Sequence, residues 1–208
     1  MTQFADRRDA GRTLAAALTA YRGRDVVVLA LPRGGVPVGA EVARALDAPL
    51  DVFVVRKLGL PGQPELAMGA LASGGVQVVN DAVARHASAA ELAAVVARET
   101  VEIERRERDY RGERALTAVE GRVVILVDDG LATGATMRAA VAAVRRLSPA
   151  EVVVAVPVGA PETVREVAAV ADDVVCSAQP SSFFAVGQCY DDFTQTTDDE
   201  VRAALTPG

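Results

Sequence analysis

The stretch Arg122–Arg138, RVVILVDDGLATGATMR, constrains the fold more than any other part of the chain. Val123–Val127 is an unbroken apolar run that reads as a strand buried on both faces of a parallel sheet. Two carboxylates, Asp128 and Asp129, stand where that strand ends. The turn Gly130-Leu131-Ala132-Thr133-Gly134-Ala135-Thr136 follows, and then a helical run from Met137 to Leu147. Such a turn gathers backbone N–H groups and the Thr133 and Thr136 hydroxyls at the positive end of a helix, where an anion is stabilised. The two Asp are acceptor-only groups, suited to a pair of sugar hydroxyls and repelled by phosphate. The layout therefore suits a sugar phosphate. The bland alternative is an ordinary strand-to-helix turn with a chance acidic pair. A Walker-type loop does not fit, because no Gly-Lys-Ser/Thr follows the turn.

Composition narrows the class. With 208 residues the chain suffices for one domain, 1–208, with a substantial core. Trp is absent and aromatics make up 4%, so Ala, Val and Leu must build that core. A net charge of −6 disfavours a general nucleic-acid binder, which would show a basic surface. The N-terminus lacks the layout of a signal peptide, and no apolar run approaches a membrane span. Cys176 and Cys189 read as reduced thiols, and the expected location is cytoplasmic. The single His86 reads as a surface helix residue.

Strand and helix patterns alternate along the chain. Helices are expected at Phe4–Tyr21, Val36–Leu46, Ser88–Arg111, Gly134–Leu147, Pro161–Val170 and Asp198–Leu205. Strands are expected at Asp25–Ala30, Leu50–Val55, Val123–Val127, Glu151–Pro157 and Asp173–Cys176. Ser88 and Glu91 are spaced as a capping box. Leu58–Gly75 is rich in Gly and Pro and without clear period, hence a long functional loop; Val76–Val79 would pair with Met68–Ala72 as a hairpin arm. This alternation predicts an α/β fold: a doubly wound, mostly parallel sheet with helices on both faces, its ligand beyond the carboxyl ends of the strands.

The apolar strand, Asp-Asp and Thr-Gly-x-Thr turn resemble the phosphoribosyl diphosphate (PRPP) signature of the type I phosphoribosyltransferases. The resemblance is strongest to a subfamily that carries Leu-Pro-Arg-Gly-Gly, as at Leu31–Gly35, and Pro-Glu-x-Ala-x-Gly-Ala, as at Pro64–Ala70. Its third motif, Val-Asp-Asp-Gly-x-Ala-Thr-Gly-Ala-Thr, stands at Val127–Thr136. It covers nearly the whole chain and implies a flexible loop over 58–75 and a small C-terminal hood over 177–196.

The resemblance assigns roles to residues that alone are weak signals. Arg33, Gly34 and Gly35 match the pyrophosphate loop, whose peptide bond at Pro32–Arg33 is expected to be cis. Arg56 and Lys57, otherwise a commonplace surface pair, match the cations that face pyrophosphate ahead of the catalytic loop. Leu60–Gly75 contains no Lys or Arg, which departs from several relatives, and Glu65 receives no chemical role. Phe183–Asp191 resembles the hood of hypoxanthine-type members, where Phe184 would stack on a base, Gly187 would allow a tight strand and Asp191 would sit near the metal–pyrophosphate end. The same cluster equally suits a missing piece of core. Glu99–Arg111 reads as a solvated charged face; the alternative sends Arg105, Arg106 or Arg108 to a neighbouring subunit's phosphate site in a homodimer.

The resemblance implies Mg²⁺-dependent transfer of ribose 5-phosphate from PRPP to a nitrogenous base, releasing pyrophosphate. Asp128, Asp129, Arg33 and Lys57 would be catalytic. Thr133–Thr136, with Gly130 and Ala132 in the same turn, would grip the 5-phosphate, and Asp128 and Asp129 would serve the metal largely through substrate. A PRPP- or nucleotide-sensing protein on the same fold is the alternative. A hydrolase is weaker, since no Gly-x-Ser-x-Gly occurs. The base is not named by the sequence.

Overall fold

The structure, a computed structural model, describes residues 3–206. Strands β1 (Val26–Ala30), β2 (Leu50–Val52), β6 (Val123–Val127), β7 (Glu151–Val158) and β8 (Asp173–Ala178), numbered along the chain, form a parallel sheet in the order β2-β1-β6-β7-β8. Side chains alternate across a strand. Val27, Leu29, Val124, Leu126, Val152 and Val154 therefore face one side, against α5 (Ala135–Arg145) and α6 (Pro161–Ala168). Val26, Val28, Val123, Ile125 and Val153 face the other, against α1 (Arg7–Ala17) and α2 (Gly35–Leu46). The doubly wound sheet expected from the alternation is present. Each fully buried Val or Leu contributes about 1.5–3 kcal/mol, and these two faces supply most of the core in a chain without Trp.

A second, antiparallel sheet joins β3 (Val55–Leu60), β4 (Gln63–Ala72) and β5 (Val76–Val79) in that order. Its Leu58, Met68 and Leu71 pack against Val95 and Ile103 of α4 (Ala89–Arg111). The short α3 (Asp81–Ala84), unforeseen from sequence, precedes α4, and α7 (Asp198–Leu205) closes the described chain. The capping box of α4 forms as spaced, with Ser88 and Glu91 exchanging hydrogen bonds.

Several expectations need correction. The strand read as Leu50–Val55 ends at Val52; Phe53 and Val54 cross to the second sheet, where Val54 donates to Ser73 Oγ at 2.9 Å and Val55 opens β3. Leu58–Gly75 is not a loop without period but most of a hairpin. Its register shifts at Leu58/Gly59 and again at Gly59/Leu60, and such irregularities hide a two-residue alternation. The pairing of Val76–Val79 with the end of β4 is as expected, from Gly69 opposite Val79 to Ala72 opposite Val76. The opening helix starts only at Arg7, because Asp6 caps it by accepting from Asp9 N at 2.7 Å. Phe4 instead forms a bridge with Tyr190. His86 is exposed in the bend between α3 and α4 rather than within a helix. No helix among the described residues is long and apolar enough to cross a membrane.

One buried charge ties the two sheets together. Arg111, at the end of α4, lies 2.9 Å from Asp51 of β2, and both side chains are 5% exposed. Arg111 Nη2 also donates to Val52 O, Ser73 Oγ and Glu107. Its Nε sits within ion-pair distance of Asp51 but is not aligned for a hydrogen bond. Asp51 in turn accepts from the Val52 and Thr117 amides. Breaking a buried pair strands the remaining charge, at a cost of about 3–5 kcal/mol. Arg111→Met is expected to lower stability by about that amount in urea titration, whereas Arg98→Met, at an exposed partner of Glu99, should change it by less than about 1 kcal/mol.

The hairpin has a firm base and a bare tip. Residues 61–66 are all exposed, while Leu58 and Met68 are fully buried. Sparse burial and broken pairing mark a segment of low local stability. Hydrogen exchange should show protected amides over Gly69–Ala72 and rapid exchange over residues 62–66; uniform protection along β4 would contradict this.

Candidate active site

The chain leaves β1 for β2 on one side of the sheet, while β6, β7 and β8 follow on the other, so the strand order reverses between β1 and β6. Crevices at such reversals are the ligand sites of open α/β sheets. The register from Val26 opposite Val123 to Ala30 opposite Val127 brings both strands to the crevice level. Leu31–Gly35 therefore emerges beside Asp128–Thr136. The Pro32–Arg33 peptide is cis, as expected.

The two loops touch without room for a side chain between them. A β-carbon on Gly34 would lie 2.1 Å from Asp129 Oδ2, and one on Gly35 would lie 2.6 Å from Val127 O and 2.9 Å from Asp128 Cα. The backbone at the end of β6 thus imposes glycine at residue 35, and the Asp129 carboxylate crowds residue 34. In the second loop, Leu131 N donates to Val158 O and Thr163 Oγ1 donates to Ala132 O at 2.7 Å, stitching the turn to β7 and α6. Gly134 turns into α5 at φ +67°, a left-handed value that L side chains rarely adopt. Thr133 and Thr136 are exposed beside this helix start.

Asp128 and Asp129 share a crowded environment. Asp128 Oδ1 accepts from the Asp129 amide at 2.8 Å, and Asp129 Oδ2 accepts from Arg7 Nε at 2.8 Å. Protein packed around the Asp128 carboxyl, with the charge of Asp129 beside it, pushes its pKa well above the usual carboxylate range. Asp129 is also raised, by loss of water, with Arg7 pulling the other way. Tyr190 donates from its hydroxyl to Asp129 O at 2.6 Å, and burial raises its pKa, so it remains a neutral donor.

Arg7 was missed by sequence reading, which began the first helix at Phe4 and gave its arginines no role. Only the N-cap position of Asp6 could have signalled that the helix begins at Arg7. The cations that were foreseen are less central. Arg33 stands 3.7 Å from Asp198 and borders a cavity of about 260 Å³ with Arg105, Arg106 and Tyr110. Arg105 and Arg106 pair with Glu102 on their own helix face, as a solvated charged face would. Arg56 and Lys57 lie within β3, not at the end of a parallel strand, and Arg56 is held by Glu99 at 2.8 Å. Lys57 is exposed in a second cavity, of about 490 Å³, whose lining includes Gly59–Gly62 but neither Asp128 nor Arg33.

The C-terminal segment departs from its expected extended form. Val186–Cys189 is a turn of 3₁₀ helix, so Phe184 and Tyr190 do not share a strand face. Gly187 does not serve a tight strand; it lies under the Phe193 ring, 2.9 Å from where its β-carbon would stand. Tyr190 is buried with Phe4, while Phe184 is 90% exposed and belongs to no core cluster. Val186 instead leans on Gly130, leaving no space for a β-carbon there. Asp191 accepts from Gln3 Nε2 and donates its amide to Phe4 O, holding residues 3–4 to the C-terminal segment.

A family model described as the phosphoribosyl transferase domain matches residues 2–194. "Putative phosphoribosyl transferase Rv0571c" of Mycobacterium tuberculosis is 53% identical over 207 residues, which is 99% of this chain and 47% of that protein. The chain thus spans about half the length of the curated relatives it matches. The crystal structure of TT1426 from Thermus thermophilus superposes with a TM-score of 0.89 at 48% identity, covering 98% of this chain and 97% of that one.

Because Phe184 is solvent-borne, truncating it removes no core. Phe184→Ala should leave thermal stability within about 0.5 kcal/mol of the wild type. A large fall in the melting temperature would return this residue to the core.

Proposed function

We propose that this chain, which belongs to the phosphoribosyl transferase domain family, transfers ribose 5-phosphate from PRPP to a nitrogenous base and releases pyrophosphate. The observation that carries this reading is the contact of the Gly34–Gly35 loop with the acidic pair at the reversal point of the sheet. One crevice then offers acceptors for ribose hydroxyls and amides for phosphate groups.

In the proposed reaction the bond between C1 of ribose and the pyrophosphate oxygen breaks, and its electron pair leaves with pyrophosphate. A bond from C1 to a base nitrogen forms, and the proton of that nitrogen passes to the released pyrophosphate or to solvent. The sugar passes through an oxocarbenium-like state, as in glycoside cleavage, so the protein has charge and position to manage rather than a covalent link to form. The α5 start with Thr133 and Thr136 would take the 5-phosphate. Asp128 and Asp129 would take the ribose hydroxyls. Arg33, released from Asp198, would face the departing pyrophosphate, whereas Lys57, in the separate cavity beside the hairpin, would reach it only after the hairpin moved toward the crevice. Phe184 would stack on the base, and Asp191 would stand at the hood's edge.

Mg²⁺ fits this donor set in a limited way. Asp128 Oδ2 and Asp129 Oδ1 accept no hydrogen bond from the described residues, and they are hard oxygen donors of the kind Mg²⁺ prefers. No three Asp, Glu, His or Cys groups among the described residues are placed to hold a metal, so the ion would share these two residues with oxygens of the substrate. When bound, it would neutralise charge growing on pyrophosphate.

The acidic pair is the test. Hydrogen bonds to charged groups contribute about 1.5–3 kcal/mol each. Replacing Asp128 and Asp129 together by Asn should weaken PRPP binding, measured by calorimetry with Mg²⁺, by at least about tenfold. Undiminished affinity in a folded double variant would sink the assignment. Release of pyrophosphate across a panel of bases separates transfer from a PRPP sensor, which would bind without turnover.

A further inference from the structure

Arg7 occupies a position that a cation would ordinarily avoid. It is the first residue of α1, where the helix dipole disfavours positive charge, and its side chain is 11% exposed. Its neighbour Arg8, on the same turn, keeps its side chain 60% exposed in the ordinary way. Arg7 is held inward by three contacts. Its Nε donates to Asp129 Oδ2 at 2.8 Å, its Nη1 donates to Thr194 O at 2.7 Å, and its guanidinium lies 3.9 Å from the centre of the Phe193 ring. Tyr190, stacked near Phe193 with ring centres 5.0 Å apart, grips the same aspartate from behind through its backbone carbonyl.

We propose that Arg7 is a positioning residue for the ribose subsite: by taking Oδ2 of Asp129 it fixes the carboxylate and leaves Oδ1 as the oxygen offered to a sugar hydroxyl. This inference rests on the reading of the acidic pair as the ribose-binding group. A planar guanidinium anchored on both sides defines the carboxylate's orientation more tightly than a flexible ammonium would. The clamp also explains why the start of α1 and residues 190–194 come together at the crevice rather than at the far end of the sheet. On its other side Asp129 Oδ2 packs against Gly34, where a β-carbon would displace it.

A site built to accept a hydroxyl discriminates against ligands that lack it. The experiment compares binding of ribose 5-phosphate with that of its analogues lacking the 2- or the 3-hydroxyl, by calorimetry. Wild-type protein should prefer ribose 5-phosphate over at least one analogue by about tenfold or more. Arg7→Met should cut that preference to about twofold while binding of inorganic pyrophosphate is unchanged. Arg7→Lys should restore part of it. Asp129→Asn should lose the preference too, and adding Arg7→Met to it should do nothing more. Should Arg7→Met fail to fold, Arg7→Gln, which keeps a donor toward Thr194, is read in the same way. A folded Arg7 variant that keeps the wild-type preference overturns the proposal, whatever its melting temperature. Wild-type protein without any preference overturns the ribose reading itself and this inference with it.

Discussion

The site depends on an exclusion: between the end of β6 and the loop after β1 there is no volume for a β-carbon. A methyl group at residue 35 would push into the last carbonyl of β6, and one at residue 34 would displace the Asp129 carboxylate. The parallel register of β1 and β6 sets this spacing, since Leu31 N still donates to Val127 O beyond the last paired residues. With the two loops locked, α2 must begin at Gly35 and run back along the sheet, where α1 packs on it. That packing delivers Arg7 to Asp129.

Charge in the crevice follows from the same closeness. Loss of water raises the pKa of both carboxylates, the charge of Asp129 raises Asp128 further, and a single guanidinium, Arg7, pulls both back from within the protein. The remaining cations stand further out. Arg33 faces Asp198, Arg56 faces Glu99, and Lys57 is in solvent. The Arg33–Asp198 pair is half exposed, and ion pairs of that kind are worth about 0–1 kcal/mol and are readily exchanged for another anion.

The sequence made the parallel sheet legible because its strands are continuous Val-rich runs, a pattern that follows directly from burial on both faces. The acidic pair and the Thr-Gly turn were legible for a similar reason: short-range spacing dictates their chemistry. The antiparallel sheet was not. Gly59, Pro61, Gly62 and Pro64 read as breakers, and the register shifts around Gly59 erase the alternation that Leu58, Leu60 and Met68 would otherwise show. The 3₁₀ turn at Val186–Cys189 was lost because the resemblance to the hood implied a tight strand there, whereas Val186 on Gly130 and Tyr190 on Asp129 decide the conformation. Arg7 was hidden because its role depends on contacts with residues 129, 193 and 194, and no local pattern carries that information.

Under the proposed reaction, the use of aromatics bears on where the base would stack. Phe4, Tyr190 and Phe193 form one tilted stack behind Asp129, and Phe53 is buried in the main core. Tyr21 and Tyr110 are buried and donate their hydroxyls to Asp173 and Asp198. Phe183 packs beside the Phe4 cluster. Phe184 is the most exposed aromatic, at 90% against 37% for Phe193. A single exposed Phe is ordinary by itself. Its position is what gives it weight: it lies two residues before Val186, which rests on Gly130 in the turn that follows the acidic pair. Burying that ring would have stabilised the free protein by about 1.5–3 kcal/mol. A planar ligand laid over it would recover apolar contact that the fold itself leaves unused.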